Sequence, residues 1–413
     1  MRVLVIGNGA REHAIVKALA ESGAKITAYM AHPNPGILKY ADQVYYGKYR
    51  TIEFREKLKD LKNINFAITG SEKIVRTDVV NFLSEIGIPS VAPTQLAARI
   101  ETSKIFAREL LARHHIKGNP KFKIITSLED YKSSRNDFNR LVIKPDGYCE
   151  DIGVKIQGIH LFTEEEMESY VKKLLELDSK LILEEFLEGE EFTIHAFCDG
   201  SRIELAPMVH DYRGISYRHS FGSVSCCGLW PGLSSNDLDH ARQIIRNTFR
   251  AMFEQYGEMY QGVLNGQFIK TSEGIFLLEF NCRLGDPEAI NILSLLKTDF
   301  LDLCCSITEN NMGKIEFYDD KSTLAVYLFP PDYPDCTKIN EEIKIPQLDV
   351  TTELYWAHVD YDEEKSMIRT TDKRSLVLFS TGSSVSELRE KIFLIAKKFE
   401  NLEFSEEVGK EFI

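Results

Sequence analysis

The chain contains 413 residues, of which 43% are hydrophobic and 27% are charged, as is typical of globular proteins. This length exceeds one ordinary domain, so we expect three or more structural units. The formal net charge of -13 and the isoelectric point near 5.4 exclude bulk binding of nucleic acid, which needs a basic surface.

The N-terminal sequence and the cysteines predict the cellular setting. Residues 2–6 form a short apolar run that enters a glycine turn, which indicates a first strand and not a signal peptide. No apolar run is long enough to span a membrane. The eight cysteines include no Cys-x-x-Cys pair, so no structural zinc site is expected and reduced thiols are favoured. We therefore expect a cytoplasmic protein that binds neither membranes nor nucleic acids.

The first hundred residues alternate between strand and helix patterns. Apolar strands are predicted at 2–6, 26–30, 64–69 and 89–92, and helices at 11–21, 52–61 and 77–86. Such alternation predicts a doubly wound parallel sheet with a ligand at the carboxyl ends of its strands.

Beyond a predicted helix at 104–114, the pattern becomes rich in strands. Strands at 140–144, 180–186, 192–198 and 202–210, with one helix at 164–175, predict a small α+β lid. Residues 211–235 lack periodicity and predict a long functional loop. A helix at 238–256 precedes a strand pair at 262–270 and 274–281, and the last ninety or so residues predict a further strand-rich unit that ends in a helix at 385–399.

A glycine turn at residues 7–13 follows the first strand and opens a helix. Helix amides would face this turn, so it predicts a phosphate or carboxylate site, with a plain tight turn as the alternative. A dinucleotide site is excluded because Glu12 stands where a third glycine is needed and no acid ends the second strand. Arg11 favours a phosphate monoester as the ligand.

Two oxygen-bearing side chains alternate on the strand at 274–281. Glu279 and Asn281 are two residues apart and so face the same side, while Phe280 faces the core. Such a pair suits Mg²⁺, with nucleotide phosphates completing the coordination. The alternative interpretation is a carboxylate and an amide that lie on the surface at a strand end and bind no metal. The charged turn that follows, with Arg283, Asp286 and Glu288, has no packing explanation and favours the metal site.

An acidic hinge and two lysines complete the pattern of a nucleotide site. The strand that begins at Lys180 ends in the acidic run 184–191, whose backbone could read an adenine edge, although an acidic hairpin is the simpler alternative. Lys144 ends a strand, and Lys104 begins a helix, where its charge opposes the helix dipole. Each feature is weak alone, but their order along the chain is specific.

On these residues, the chain resembles the ATP-grasp superfamily and, within it, the glycinamide ribonucleotide synthetases. The most specific block is residues 279–288, which is similar to the family signature Glu-Phe-Asn-x-Arg-x-Gly-Asp-Pro-Glu. The resemblance implies an α/β and α+β multidomain fold. An N-terminal doubly wound parallel-sheet domain would span 1–101, an ATP-grasp domain 102–318 with a lid at about 121–187, and a small C-terminal α+β, strand-rich domain 319–413.

The resemblance also implies roles for individual residues. The residues expected to bind ATP are Lys104, Lys144, Glu184, Leu187 and Glu191, the first two at the phosphates, the next two at adenine and the last at the ribose. Those expected to hold the metal are Glu279, Asn281 and Gln267. Those expected near the other substrates are Gly9, Arg11, Asn34, Gly36, Arg213, Arg283 and Asp286. Arg283 would orient glycine, and Arg283 and Lys144 are the expected catalytic groups.

The implied reaction is the ATP-dependent ligation of glycine to 5-phosphoribosylamine through a glycyl phosphate, a step of purine biosynthesis. Its cofactors would be ATP with Mg²⁺, Mn²⁺ being an alternative, and the protein would be a monomer or a weak homodimer. Two loops depart from the family pattern. Residues 148–153 carry Glu150 and Asp151 where a phosphate-cradling loop has glycine and lysine, and residues 219–230 replace the usual substrate loop. Two alternatives therefore stay open, an ATP-grasp ligase for another amino acid and amine, and a catalytically weak nucleotide-binding homologue.

Overall fold

A computed structural model describes the chain apart from residues 148–152, 214–219, 229 and 258. Its N-terminal unit is a parallel sheet in the order β3-β2-β1-β4-β5. The strands are β1 (Arg2–Ile6), β2 (Lys25–Met30), β3 (Ala41–Tyr46), β4 (Phe66–Thr69) and β5 (Ser90–Val91). The helices around them are α1 (Ala10–Glu21), α2 (Pro35–Leu38), α3 (Ile52–Asp60), α4 (Glu72–Val75) and α5 (Val79–Glu85). The predicted doubly wound parallel sheet is confirmed.

Two helices, α6 (Arg99–Thr102) and α7 (Lys104–Arg113), lead into a small four-stranded sheet in the order β6-β9-β7-β8. It contains β6 (Phe122–Ile125), β7 (Leu141–Pro145), β8 (Lys155–Ile156) and β9 (Leu181–Glu185), covered by α8 (Leu128–Ser134) and α9 (Glu164–Leu177). A short 3₁₀ turn, Arg135–Asp137, follows α8. A separate apolar core that includes Tyr131, Val171 and Leu183 holds this lid together.

The rest of the chain builds one eight-stranded sheet in the order β14-β13-β10-β11-β12-β15-β19-β16. Its strands are β10 (Glu190–Asp199), β11 (Ile203–Arg213), β12 (Ser220–Ser225), β13 (Gln261–Thr271), β14 (Gly274–Asn281), β15 (Ser322–Leu328), β16 (Thr352–Trp356) and β19 (Leu376–Gly382). A separate hairpin pairs β17 (Val359–Asp362) with β18 (Met367–Thr370). The associated helices are α10 (Ser235–Tyr256), α11 (Glu288–Leu295), α12 (Phe300–Thr308), α13 (Val385–Ala396) and the terminal 3₁₀ turn Lys410–Phe412.

Helices cover both faces of the large sheet. Apolar residues of α10 and α13 pack on one face, and those of α11 and α12 pack on the other, where the N-terminal sheet also contacts it. Helix α10 is amphipathic and begins with a capping box at Ser234 and Asp237. None of the described helices is long and apolar enough to cross a membrane.

Two expectations about the strands were wrong, and one strand was missed. The strands at 192–198 and 202–210 belong to the large sheet and not to the lid, because β10 pairs with β13 along its whole length. The segment 211–235 is not one loop, since β12 pairs with both β11 and β15. The C-terminal strands continue the same sheet across residue 318 through that β12–β15 pairing, which sequence periodicity cannot reveal. Strand β3, a half-exposed edge strand, was missed.

Candidate active site

A row of polar side chains crosses one face of the large sheet at its β14 edge. In the register of β10, β13 and β14, Gln267 lies opposite both Thr193 and Glu279, and Asn265 lies opposite both His195 and Asn281 (the set is Thr193, His195, Asn265, Gln267, Glu279 and Asn281). Residues that face one another across antiparallel strands point to the same side of the sheet. Phe268 and Phe280 lie in the apolar core on the other side. The predicted shared face of Glu279 and Asn281 therefore exists.

Glu279 is surrounded by positive charge. Burial alone would raise its pKa, but Lys104, Arg213 and Lys144, with Arg283, outweigh burial and hold the pKa of this carboxyl below its ordinary value. Burial lowers the pKa of the Lys104 ammonium, which the charge of Glu279 opposes. The two predicted phosphate lysines and the predicted metal carboxylate thus act on one another electrostatically, as a triphosphate site requires.

The start of helix α7 fixes Lys104 beside the root of the lid loop. Ser103 caps the helix by accepting a hydrogen bond from the amide of Phe106, and its hydroxyl donates to Asp146 Oδ1 at 2.9 Å. Asp146 Oδ1 also accepts from the amide of Ile105 at 2.8 Å, so its carboxylate lies at the positive end of the helix. The altered lid residues Tyr148–Ile152, including Glu150 and Asp151, lie outside the described residues.

Glu184, predicted to contact adenine, accepts hydrogen bonds from two cations. Arg108 donates to both of its carboxylate oxygens at 2.8 and 3.0 Å, and Lys144 Nζ donates to Oε2 at 2.6 Å. Burial would raise the pKa of Glu184, but these two cations hold it at about 2. The carboxylate therefore stays charged and orients Lys144. Leu187, at the predicted adenine hinge, is half-buried and follows β9 by two residues.

Gln267 joins the predicted ribose residue to the predicted substrate residue. Its amide nitrogen donates to Glu191 Oε2 at 2.8 Å, and its amide oxygen accepts from Arg213 Nη1 at 3.1 Å. The oxygen that was expected to assist the metal is thus bonded to a guanidinium. Burial raises the pKa of Glu191, which Arg213 opposes.

Behind Arg213 lies a pair of buried acids. Asp211 accepts a hydrogen bond from Arg213 Nε, and Glu288 lies at the start of α11 beside both residues. Neither oxygen of Glu288 has a hydrogen-bond partner among the described residues. Burial, followed by the charge of Asp211, raises the pKa of Glu288 to about 7. Arg213 is therefore backed by negative charge, whereas Glu288 tends to keep its proton.

In the N-terminal turn, Glu12 occupies the position where a phosphate was expected. Its Oε2 accepts from the amide of Gly9 at 2.5 Å, and its Oε1 accepts from Arg11 Nε at 2.8 Å. A Cβ on Gly7 would lie 2.5 Å from the Glu12 side chain, and Gly7 adopts φ +135°, so glycine is needed there. Arg11 also donates to the carbonyl of Leu284 at 3.1 Å. Arg11 and the amide of Gly9 are thus already hydrogen-bonded to other groups of the protein.

The loop at 33–36 is sealed by the C-terminal part of the chain. Asn34 caps α2 and donates to the carbonyls of Asn8 and Trp356 at 3.0 and 2.9 Å. The backbone of Gly36 passes over the His13 ring, and His13 Nδ1 accepts from the amide of Trp356 at 3.0 Å. Strand β16 therefore forms one wall beside the predicted phosphoribosylamine loop.

Arg283 and Asp286 follow the metal strand. Arg283 lies 3.5 Å from Glu101 and 3.7 Å from Glu72, and its Nη2 donates to Asn281 Oδ1 at 3.4 Å. Asp286 accepts from Tyr327 Oη at 2.5 Å and from Arg374 Nη2 at 3.0 Å.

Sequence reasoning missed several residues of this region, namely Arg108, Asp211, Tyr327 and Arg374. Arg108 follows Lys104 by four residues on one helix, so helical spacing could have located it. Tyr327 on β15 and Arg374, two residues before β19, reach Asp286 from more than forty residues away in sequence, and no local pattern marks them.

Replacing Gly36 by alanine should destabilise the substrate loop. The new Cβ would lie 2.0 Å from His13 Cε1, and we expect a loss of about 1–3 kcal/mol in the free energy of unfolding, measured by urea denaturation. The matched control is Gly313→Ala, because a Cβ there meets nothing within 4 Å. Equal stability of the two variants would contradict the expected clash.

Glu288→Gln should change how stability depends on pH. The folded-state pKa of Glu288 is raised from 4.5 to about 7, so the folded protein holds this proton where the unfolded chain has released it. Wild-type stability should therefore fall, relative to Glu288→Gln, as pH rises from 4.5 to 7, by about 3 kcal/mol in total. Urea titrations between pH 4.5 and 8 measure this difference. The exposed Glu400→Gln serves as the control, and parallel pH profiles for wild type and Glu288→Gln would contradict the shift.

Comparison with known proteins places this geometry in a family. Residues 1–101 match the sequence model of the phosphoribosylglycinamide synthetase N domain, and residues 102–289 match that of the phosphoribosylglycinamide synthetase ATP-grasp (A) domain. The phosphoribosylamine–glycine ligase of Methanocella arvoryzae is 37% identical over 402 residues, which cover 94% of this chain and 91% of that protein. The ligase of the same name from Pyrococcus furiosus is 32% identical over 427 residues, which cover 100% and 91%.

Solved structures agree on the fold. The phosphoribosylamine–glycine ligase of Thermotoga maritima has a TM-score of 0.78 at 23% identity, covering 98% of this chain and 99% of that one. The biotin carboxylase domain of the Hydrogenobacter thermophilus 2-oxoglutarate carboxylase, solved with MgADP, has a TM-score of 0.76 at 13% identity, covering 97% and 91%. The predicted ATP-grasp fold is confirmed, and the chain belongs to the phosphoribosylglycinamide synthetase family of ATP-dependent ligases, as its sequence predicted.

Proposed function

We propose that the chain joins glycine to 5-phosphoribosylamine, giving glycinamide ribonucleotide, ADP and phosphate. The observation that carries this proposal is the polar face where Glu279 and Asn281 project together beside Lys104 and Lys144. A carboxylate, an amide and two ammonium groups form a set suited to a metal-bound triphosphate. Near-complete coverage of the named ligases supports the choice of substrates.

The donor set fits Mg²⁺, because Glu279 and Asn281 offer hard oxygen ligands on one face of the sheet, and phosphate oxygens would complete the coordination. Among the described residues, no group of three His, Cys, Asp or Glu side chains is placed to hold a metal ion. In this proposal the nucleotide phosphates therefore supply the remaining ligands. When bound, Mg²⁺ would offset the negative charge of the transferring phosphoryl group, and Mn²⁺ would bind the same oxygens. Gln267 Oε1 already accepts from Arg213, so in this proposal it contributes by holding Arg213 in place.

In the first step, the glycine carboxylate attacks the γ-phosphorus of ATP, ADP leaves, and glycyl phosphate forms. Lys144, oriented by Glu184, and Lys104 would neutralise the phosphate oxygens. Arg283, near Asn281, would hold the glycine carboxylate beside the phosphates. Leu187 would offer its backbone to adenine, and Glu191, bonded to Gln267, would accept from the ribose.

In the second step, the amine of phosphoribosylamine attacks the carbonyl carbon of glycyl phosphate, the amine loses a proton, and phosphate leaves. The phosphoribosyl group of the amine would bind in the N-terminal region that β16 closes, near Gly9, Arg11, Asn34 and Gly36. Asp286 would lie at the edge of this region. Arg213 would stabilise negative charge at the reacting centre, because Asp211 and Gln267 fix its guanidinium. In this proposal the predicted units 1–101, 102–318 and 319–413 would all contribute to the site, and a monomer would contain it whole.

The proposal is tested by ADP release with Mg-ATP, glycine and freshly made phosphoribosylamine, omitting each substrate in turn. Turnover that needs both glycine and the amine is the expected result. Turnover with only another amino acid and amine would replace the proposed substrates, and ATP binding without turnover would identify a nucleotide-binding homologue.

Glu279→Gln should abolish turnover and leave the fold intact. Loss of the anionic ligand should remove most of the metal affinity. We therefore expect kcat to fall by at least about 1000-fold, the effect typical of removing one group that stabilises charge in the transition state. The melting temperature should change little, because glutamine has the size and shape of glutamate and its amide oxygen can still face the surrounding cations. A large drop in melting temperature would mark Glu279 as a structural residue. Glu273→Gln, exposed on the same hairpin, is the matched control.

A further inference from the structure

Arg108 is a buried guanidinium on helix α7, one turn after Lys104, and only 2% of it is exposed. It donates four hydrogen bonds. Two reach the carboxylate of Glu184 on the lid strand β9, at 2.8 and 3.0 Å. The other two reach the carbonyls of Leu277 and Leu278 on β14, at 2.9 and 2.7 Å. One side chain thus connects the lid to the strand that carries Glu279.

The two ends of this connection bear on the groups proposed to bind ATP and metal. At the lid, Arg108 fixes both oxygens of Glu184, and Glu184 Oε2 accepts from Lys144 at 2.6 Å. At the sheet, the two bonded carbonyls immediately precede Glu279 in the chain. Lys104, Arg108, Glu184 and Glu279 also line one small cavity of about 20 Å³, the room of about one water molecule.

We propose that Arg108 is a positioning residue for ATP: through Glu184 it holds the ammonium of Lys144, and through β14 it sets the distance from that ammonium to Glu279. This inference rests on the proposed function, because it needs phosphates to lie between Lys144 and Glu279.

The charges and shapes of these groups explain why an arginine is required. Glu184 carries one negative charge against the two positive charges of Arg108 and Lys144, so the cluster keeps one net positive charge for the triphosphate. A planar guanidinium can donate hydrogen bonds to a carboxylate and two carbonyls at the same time. The single ammonium of a lysine cannot reach both β9 and β14 in this geometry. Removing Arg108 would leave Glu184 free to rotate and to pair with Lys144 alone, turning the lysine away from the phosphates.

A double-mutant cycle separates this role from simple support of the fold. Binding of Mg-ATP, without the other substrates, is measured by calorimetry for wild type, Arg108→Met, Lys144→Met and the double variant. Arg108→Met should weaken binding about 10- to 100-fold, the size expected for a misplaced charged group, while in the Lys144→Met background the same change should cost about twofold or less. If the two single losses multiply in the double variant, Arg108 does not act through Lys144 and the inference is overturned.

Two further variants keep the result decisive. Arg108→Lys retains the positive charge but loses the forked guanidinium, so it should fold and bind Mg-ATP less tightly than wild type. If Arg108→Met does not fold, Arg108→Lys replaces it in the cycle. Wild-type affinity for Arg108→Lys would overturn the inference. Arg389→Met is the control, because Arg389 also donates to two backbone carbonyls, those of Val408 and Glu406, far along the chain from the site, and it should leave binding unchanged. If wild type itself does not bind Mg-ATP, the proposed function fails; if it binds and the losses multiply, only the role of Arg108 fails.

Discussion

The site depends on a carboxylate that remains ionised inside a protein because cations surround it. Burial opposes the charge on Glu279, and Lys104, Arg213 and Lys144 restore it from three different elements. None of these cations is close to Glu279 in sequence. The helix α7, the lid strand β7 and the strand β11 therefore each contribute a positive charge that favours the ionised form of Glu279.

The same balance of charge recurs through the site. Glu184 is charged because Arg108 and Lys144 hold it, Asp286 because Arg374 and Arg11 outweigh its burial, and Arg213 is backed by Asp211. Glu288 is the exception. It lies beside Asp211 without a hydrogen-bond partner among the described residues, and its pKa is raised to about 7. A carboxyl whose pKa is raised to about 7, next to the guanidinium expected to face the reacting centre, predicts that this corner of the candidate site is sensitive to pH.

The C-terminal strands are part of the site as well as of the sheet. Strand β15 extends the sheet through β12, and its Tyr327 bonds to Asp286, while β16 brings the backbone of Trp356 onto both His13 and Asn34. A substrate held near the N-terminal turn would thus touch elements from both ends of the chain. Residues 319–413 therefore contact the candidate site although they carry no recognisable motif.

The amino-acid sequence was sufficient to predict the family, the alternation of strands and helices in the first hundred residues, and the shared face of Glu279 and Asn281. These features depend on local periodicity and on a contiguous motif. The sequence located Lys104 and Lys144 but could not show what holds them. The three-dimensional fold was needed to show that Arg108 and Lys144 bond to Glu184, that Glu12 fills the turn predicted to bind phosphate, and that Tyr327 and Arg374 reach Asp286. The partner of a buried charge is the opposite charge that lies closest to it in space. Strand pairings such as β12 with β15 bring together residues about a hundred positions apart, and no local sequence pattern predicts such a pairing.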